Sequence, residues 1–162
     1  ARPLMLDVRR LSPMTSLRNN SLLVAAALSG LAAALHIAII FFGAPWFRFF
    51  GAGDRMADLA ASGHWYPTFL TLLITVVLSV WALYALSGAG IIRSLPLLRT
   101  ALCFITAVYL LRGVAGIPLL VLPSQQGALF WLWSSALALA FGLVHLRGLL
   151  QVWPRLSLKP PN

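Results

Sequence analysis

The chain alternates between long apolar runs and short polar stretches, and four of the runs are long enough to cross a bilayer. They cover residues 21–42, 67–87, 95–122 and 128–150. Each reaches or exceeds the ~20 residues that span a hydrocarbon core of ~30 Å at ~1.5 Å per residue. The alternating segments of about ten residues that mark a membrane β-barrel are absent from the sequence. The pattern predicts an all-α protein: a four-helix transmembrane bundle over residues 21–150, between tails at 1–20 and 151–162.

Inside the runs, small and polar residues recur at helical spacing. The first carries Ala26, Gly30 and Ala34 in one row, beside Ala25, Ser29, Ala32 and His36. The second carries Thr68, Thr71, Thr75, Ser79 and Ala82; the fourth carries Ser135, Ala138, Gly142 and His145. The third shows Thr106, Tyr109, Arg112, Gly113 and Gly116, with Pro118 expected to bend its far end. Lipid supplies little hydrophobic drive between helices, so such stripes predict the faces that pack. The segment 43–66 is long for a turn; its part 54–61 is predicted as a short amphipathic helix on the membrane surface, with Phe49 and Phe50 dipping into lipid.

Composition excludes a soluble globule. Hydrophobic residues make up 60% of the chain and charged residues 9%, against about 25% charged in soluble domains, and the mean hydropathy is +0.91. The net charge of +9 sets twelve basic residues against Asp7, Asp54 and Asp58. A sequence pI near 11.6 is one that nucleic-acid binders share, but here the arginines sit at the ends of apolar runs, which argues against a nucleic-acid partner. Arg2, Arg9, Arg10 and Arg18 precede the first run, Arg93 lies before the third and Arg99 at its start, and Arg147 at the end of the fourth is followed by Arg155 and Lys159.

The other two connections are balanced or uncharged: Arg48 and Arg55 against Asp54 and Asp58 in one, residues 123–126 in the other. The positive-inside rule then places both termini in the cytoplasm. Trp46, Phe47, Phe49, Phe50, Trp65, Tyr66, Trp131 and Trp133 fall at the outer interface, and Trp81, Tyr84 and Trp153 near the inner one. The Arg-, Ala- and Leu-rich composition points to a bacterial inner membrane. Arg9-Arg10 before an apolar run resembles a twin-arginine signal, but the run is too long for one and lacks a cleavage site, so it is read as a retained helix. The stretch before Met14 reads equally as a native arm or as residues 1–13 added upstream. A lone Cys103 excludes an internal disulfide and a Cys-based metal cluster.

Candidate chemistry gathers around Arg112, about 14 Å from the outer end of its run by helical rise. An arginine at that depth needs a partner or a purpose. The candidates are Asp54 or Asp58 folded inward, carbonyls freed near Pro118, or an anionic ligand such as a lipid phosphate. His36, Thr71 and Thr75 fall at similar depths and, with Tyr109 as a further hydrogen-bonding residue, are expected to share a ligand-binding site with it, gated by Arg48, Asp54, Arg55 and His64 of the outer loop. No metal site is expected. His36 and His145 are separated along the membrane normal by on the order of 15 Å, too far to bracket one haem. Haem therefore stands, with quinone, only as a secondary cofactor expectation. No phosphate loop, nucleophile elbow or zinc-protease motif is present.

The run Leu35-His36-Ile37 followed by Phe42-Gly43-Ala44-Pro45-Trp46-Phe47-Arg48-Phe49-Phe50-Gly51, with Trp81-Ala82-Leu83-Tyr84 and Leu110-Leu111-Arg112-Gly113, resembles small uncharacterised bacterial four-helix inner-membrane proteins. The resemblance implies the same bundle and no assigned reaction. The expectation is a non-enzymatic accessory subunit or a binder of a lipid or amphipathic anion. A membrane-embedded enzyme or redox protein acting on a quinone or isoprenoid-like substrate is the alternative, and a small-substrate transporter acting as a dimer comes third. Expected partners are the lipid bilayer and either another membrane protein or a second copy of the chain.

Overall fold

The computed structural model describes residues 18–122 and 127–157. Arg2, Arg9, Arg10, Lys159 and residues 123–126, all used in the orientation argument, lie outside them. The described residues are helical, without strands, in the order α1 Asn20–Phe42, α2 Ala44–Phe49, α3 Asp54–Ala61, α4 Trp65–Gly88, α5 Leu98–Ala115 and α6 Gly127–Ser157, with a 3-10 turn at Pro118–Leu120. Four of these elements are long and apolar enough to cross a membrane. Only between 17% and 33% of each span is buried within the bundle, so most of their apolar side chains face outward. Water would not tolerate that surface; lipid does. The chain is a multi-pass membrane protein.

Local chemistry sets the helix ends. Asn19 caps α1, its side chain accepting from the Leu22 N–H at 2.8 Å. Gly43, at φ 69°, stops α1 and donates back to the Ile39 carbonyl, and Pro45 starts α2 in the first turn, where its missing N–H costs nothing. His64 caps α4 by accepting from the Tyr66 N–H at 3.2 Å. At the far end of α4, Ser87 Oγ donates to the Arg93 carbonyl (3.1 Å) and accepts from the Leu95 N–H (2.9 Å), fixing the connection to α5. Leu97 opens α5 with a left-handed backbone, φ 53°.

Two helix limits differ from the sequence expectation. The third run was expected to stay helical over 95–122; α5 is shorter, because Gly116 followed by Pro118 removes a helix former and a donor within three residues. The fourth was expected to end near 150; α6 continues to Ser157. Val152 is buried beside Leu22, Leu102 and Leu149, and Trp153 lies under the Arg99 guanidinium at 3.9 Å, so packing carries the helix onward.

The helices run antiparallel in a ring, α1 against α4 and α6, and α5 against α6 and, more loosely, α4. Asn19 Nδ2 donates to Gln151 Oε1 at 3.0 Å and the Asn19 N–H to the Ala89 carbonyl at 3.2 Å. Both chain ends of the bundle and the α4–α5 connection therefore share one end, here the terminal end, which carries Arg18, Arg93, Arg99, Arg147 and Arg155. The opposite, loop end is covered by α2 and α3, packed through Phe47 and Ala57 onto Ile39.

Glycines allow the closest approaches. A Cβ on Gly142 of α6 would lie 3.0 Å from the Leu110 backbone N, and one on Gly113 of α5 would lie 2.9 Å from the Leu139 backbone N. Such backbone proximity supplies the dispersion contacts that hold helices together in lipid.

Candidate functional site

Arg112 lies one α5 turn before Gly116 and is turned toward α6. Its Nη2 donates to Ser134 Oγ at 2.7 Å, and its guanidinium carbon sits 5.3 Å from the centre of the Trp131 ring. A Cβ on Gly116 would meet Ser135 Oγ at 1.9 Å and Arg112 Nη1 at 3.4 Å. Ser135 Oγ is buried and without a hydrogen-bond partner. One guanidinium, two hydroxyls and an indole face thus meet around Gly116, whose missing Cβ leaves the place that Ser135 Oγ fills. The Arg112 side chain itself is exposed on the outside of the helix pair.

The carboxylates of α3 are not its partners. Arg48 pairs with Asp54 at 3.4 Å and with Asp58 through a direct Nη2 bond, which clasps α2 to α3. Arg55 is exposed on α3, and His64 is committed to capping α4 while stacked on Trp65.

His36, Thr71 and Thr75 spend their donors within their own helices. His36 Nδ1–H donates to the Ala32 carbonyl at 2.7 Å, Thr71 Oγ1 to Pro67 O at 2.8 Å and Thr75 Oγ1 to Thr71 O at 2.9 Å. They belong to the α1–α4 side of the ring, whereas Arg112 belongs to the α5–α6 side. The structure does not gather the five residues expected to form one site.

Tyr109 does something else again. It is buried, and its hydroxyl meets Ser29 Oγ of α1 at 3.1 Å. Its ring touches Trp81 of α4 (5.0 Å), Phe141 (5.5 Å) and His145 (5.1 Å) of α6. One tyrosine therefore contacts all three other long helices. His145 is fully buried; its Nδ1–H donates to the Phe141 carbonyl at 2.9 Å, which leaves the Nε2 lone pair without a partner.

Ser29, Ser134 and Ser135 escaped the sequence reading as site residues. The spacings Arg112–Gly116 and Trp131–Ser135 place each pair on one helical face, but nothing in the sequence states that the two faces meet. Among the described residues, no group of three or more His, Cys, Asp or Glu gathers that would hold a metal ion. No family model, curated protein or solved structure matches this chain, so its function is argued from these residues alone.

Proposed function

We propose that this chain is a non-enzymatic membrane protein that binds an anionic amphiphile, of phospholipid type, on the loop-end face of α5 and α6. The observation that supports it is Arg112: an exposed guanidinium on an apolar surface, flanked by Ser134, Ser135 and Trp131, while the two described carboxylates are both held by Arg48. An arginine in the last turn of α5, against an apolar surface and with no described carboxylate beside it, favours an anionic partner. A phosphodiester suits it, since the planar guanidinium offers several donors at once and serine hydroxyls add more. Trp131 suits headgroup level, where an indole's apolar body and N–H are both accommodated. With the basic terminal end in the cytoplasm of a bacterial inner membrane, the site faces the outer leaflet.

Native mass spectrometry tests the reading on protein released in mild detergent with dioleoyl phosphatidylglycerol or dioleoyl phosphatidylcholine added. Preferential retention of phosphatidylglycerol is expected, and Arg112→Gln should weaken it about tenfold while leaving thermal stability intact. Equal retention of both lipids by the native protein and the variant would defeat the proposal. A stably retained polypeptide in place of lipid would make the chain an accessory subunit.

A further inference from the structure

The loop end holds a second feature, on the α1–α4 side and independent of Arg112. Gly43 (φ 69°) and Gly63 (φ 72°) reverse the chain at either end of the α2–α3 segment and fold it over the bundle. Between that cover and α4 lies a groove of about 380 Å³, lined by Ile40, Phe47, Ala60, Phe69 and Leu72 and by His64. This falls in the size range of small-molecule sites, about 300–1,000 Å³. None of its lining residues is acidic, Lys or Arg. Phe69 and Leu72 are themselves exposed, so the groove opens onto the lipid-facing side of α4.

Of the polar side chains Thr68 and His64 in its lining, the imidazole has a defined hydrogen-bonding sense. His64 Nδ1 accepts from the Tyr66 N–H at 3.2 Å. A neutral imidazole whose Nδ1 accepts must carry its proton on Nε2. The groove therefore offers an N–H donor beside aromatic walls, among them Trp65, whose ring stacks on His64 at 5.8 Å. It offers no charge. A charged headgroup has no counter-ion in that lining, and a purely hydrocarbon chain makes no use of the donor.

We propose that this groove binds a neutral amphiphile with a planar, carbonyl-bearing head, of quinone type. The carbonyl oxygen accepts from His64 Nε2–H, the ring lies against Trp65 and Phe69, and the apolar tail runs past Leu72 along α4 into the bilayer.

Isothermal titration with decylubiquinone, on protein in a neutral detergent, provides the test. One saturable site per chain is expected. His64→Asn keeps a side-chain acceptor for the α4 cap, so the helix is retained, but it moves the donor out of reach and should weaken binding about fivefold. Leu72→Trp fills the groove at an exposed position and should abolish binding while His64 stays in place. Uptake that rises linearly without saturating, or that is the same in both variants as in the native protein, overturns the proposal. So does a phospholipid that native mass spectrometry shows retained at an unchanged level in the presence of the quinone and lost from Leu72→Trp, because the groove then belongs to an acyl chain.

Discussion

Ser29 Oγ and Tyr109 Oη lie 3.1 Å apart and join α1 to α5, two helices that face each other across the ring and share little backbone contact. The residues are separated by eighty positions in sequence. The bond is the one described side-chain hydrogen bond that crosses the middle of the bundle, and it sits where no water competes for either hydroxyl.

Removing either hydroxyl should therefore cost stability without changing the fold. Tyr109→Phe and Ser29→Ala are each expected to destabilise by about 0.6–1.5 kcal/mol, the range for hydrogen bonds between membrane helices. The double variant should lose less than the sum, because both substitutions delete the same bond. Reversible unfolding in mixed micelles measures all four corners of the cycle. Strict additivity would show that the two hydroxyls do not interact.

His145 makes a different prediction, since its Nε2 is buried and unpaired. A leucine of similar bulk removes that orphaned acceptor at the loss of one local bond to the Phe141 carbonyl. His145→Leu should leave stability within about 1 kcal/mol of the native protein or raise it. A loss above about 2 kcal/mol in the same unfolding assay would mean that Nε2 is satisfied by a bound group, and would make His145 a binding residue.

Two glycines separate packing from propensity. An added Cβ at Gly142 meets the Leu110 side chain at 2.7 Å and its backbone N at 3.0 Å, whereas one at Gly30 meets nothing within 4 Å. Gly142→Ala must push α5 and α6 apart and should destabilise by about 1–3 kcal/mol. Gly30→Ala should be neutral or stabilising by up to about 1 kcal/mol through helix propensity. Comparing the two variants in one unfolding series checks both; equal effects would contradict the packing of α5 on α6.

Much of the scaffold was legible before any coordinates. Four apolar runs and the short helix Asp54–Ala61 follow from periods that a helix imposes on its own side chains. Of the two small-residue rows on α1, by contrast, the one with Ala25 and Ser29 packs and the one with Gly30 and Ala34 faces open space. Gly113 and Gly142 were readable as contact residues because only close backbones in lipid need them. The polar residues were readable singly and misleading as a group. Depth along one helix can be counted, but Tyr109 meets Ser29 and Trp81, about two to three turns nearer the terminal end than His36 on α1 and Thr71 on α4. Direction around the bundle cannot be counted, and it sends them to different neighbours.

The sequence by itself determined that the chain belongs in a membrane, that it has four helices long and apolar enough to cross one, and which residues share a face of each helix. These are properties of one helix and its solvent. Tertiary structure alone decided which faces meet. It gave Asp54 and Asp58 to Arg48 in place of Arg112, set Arg112 between Ser134 and Trp131, and aimed Tyr109 across the ring at Ser29. The physical reason is that helix pairing in a membrane is settled by short-range fit, a glycine here against a leucine backbone there. That fit depends on both partners together, and a period read along one of them contains only half of it.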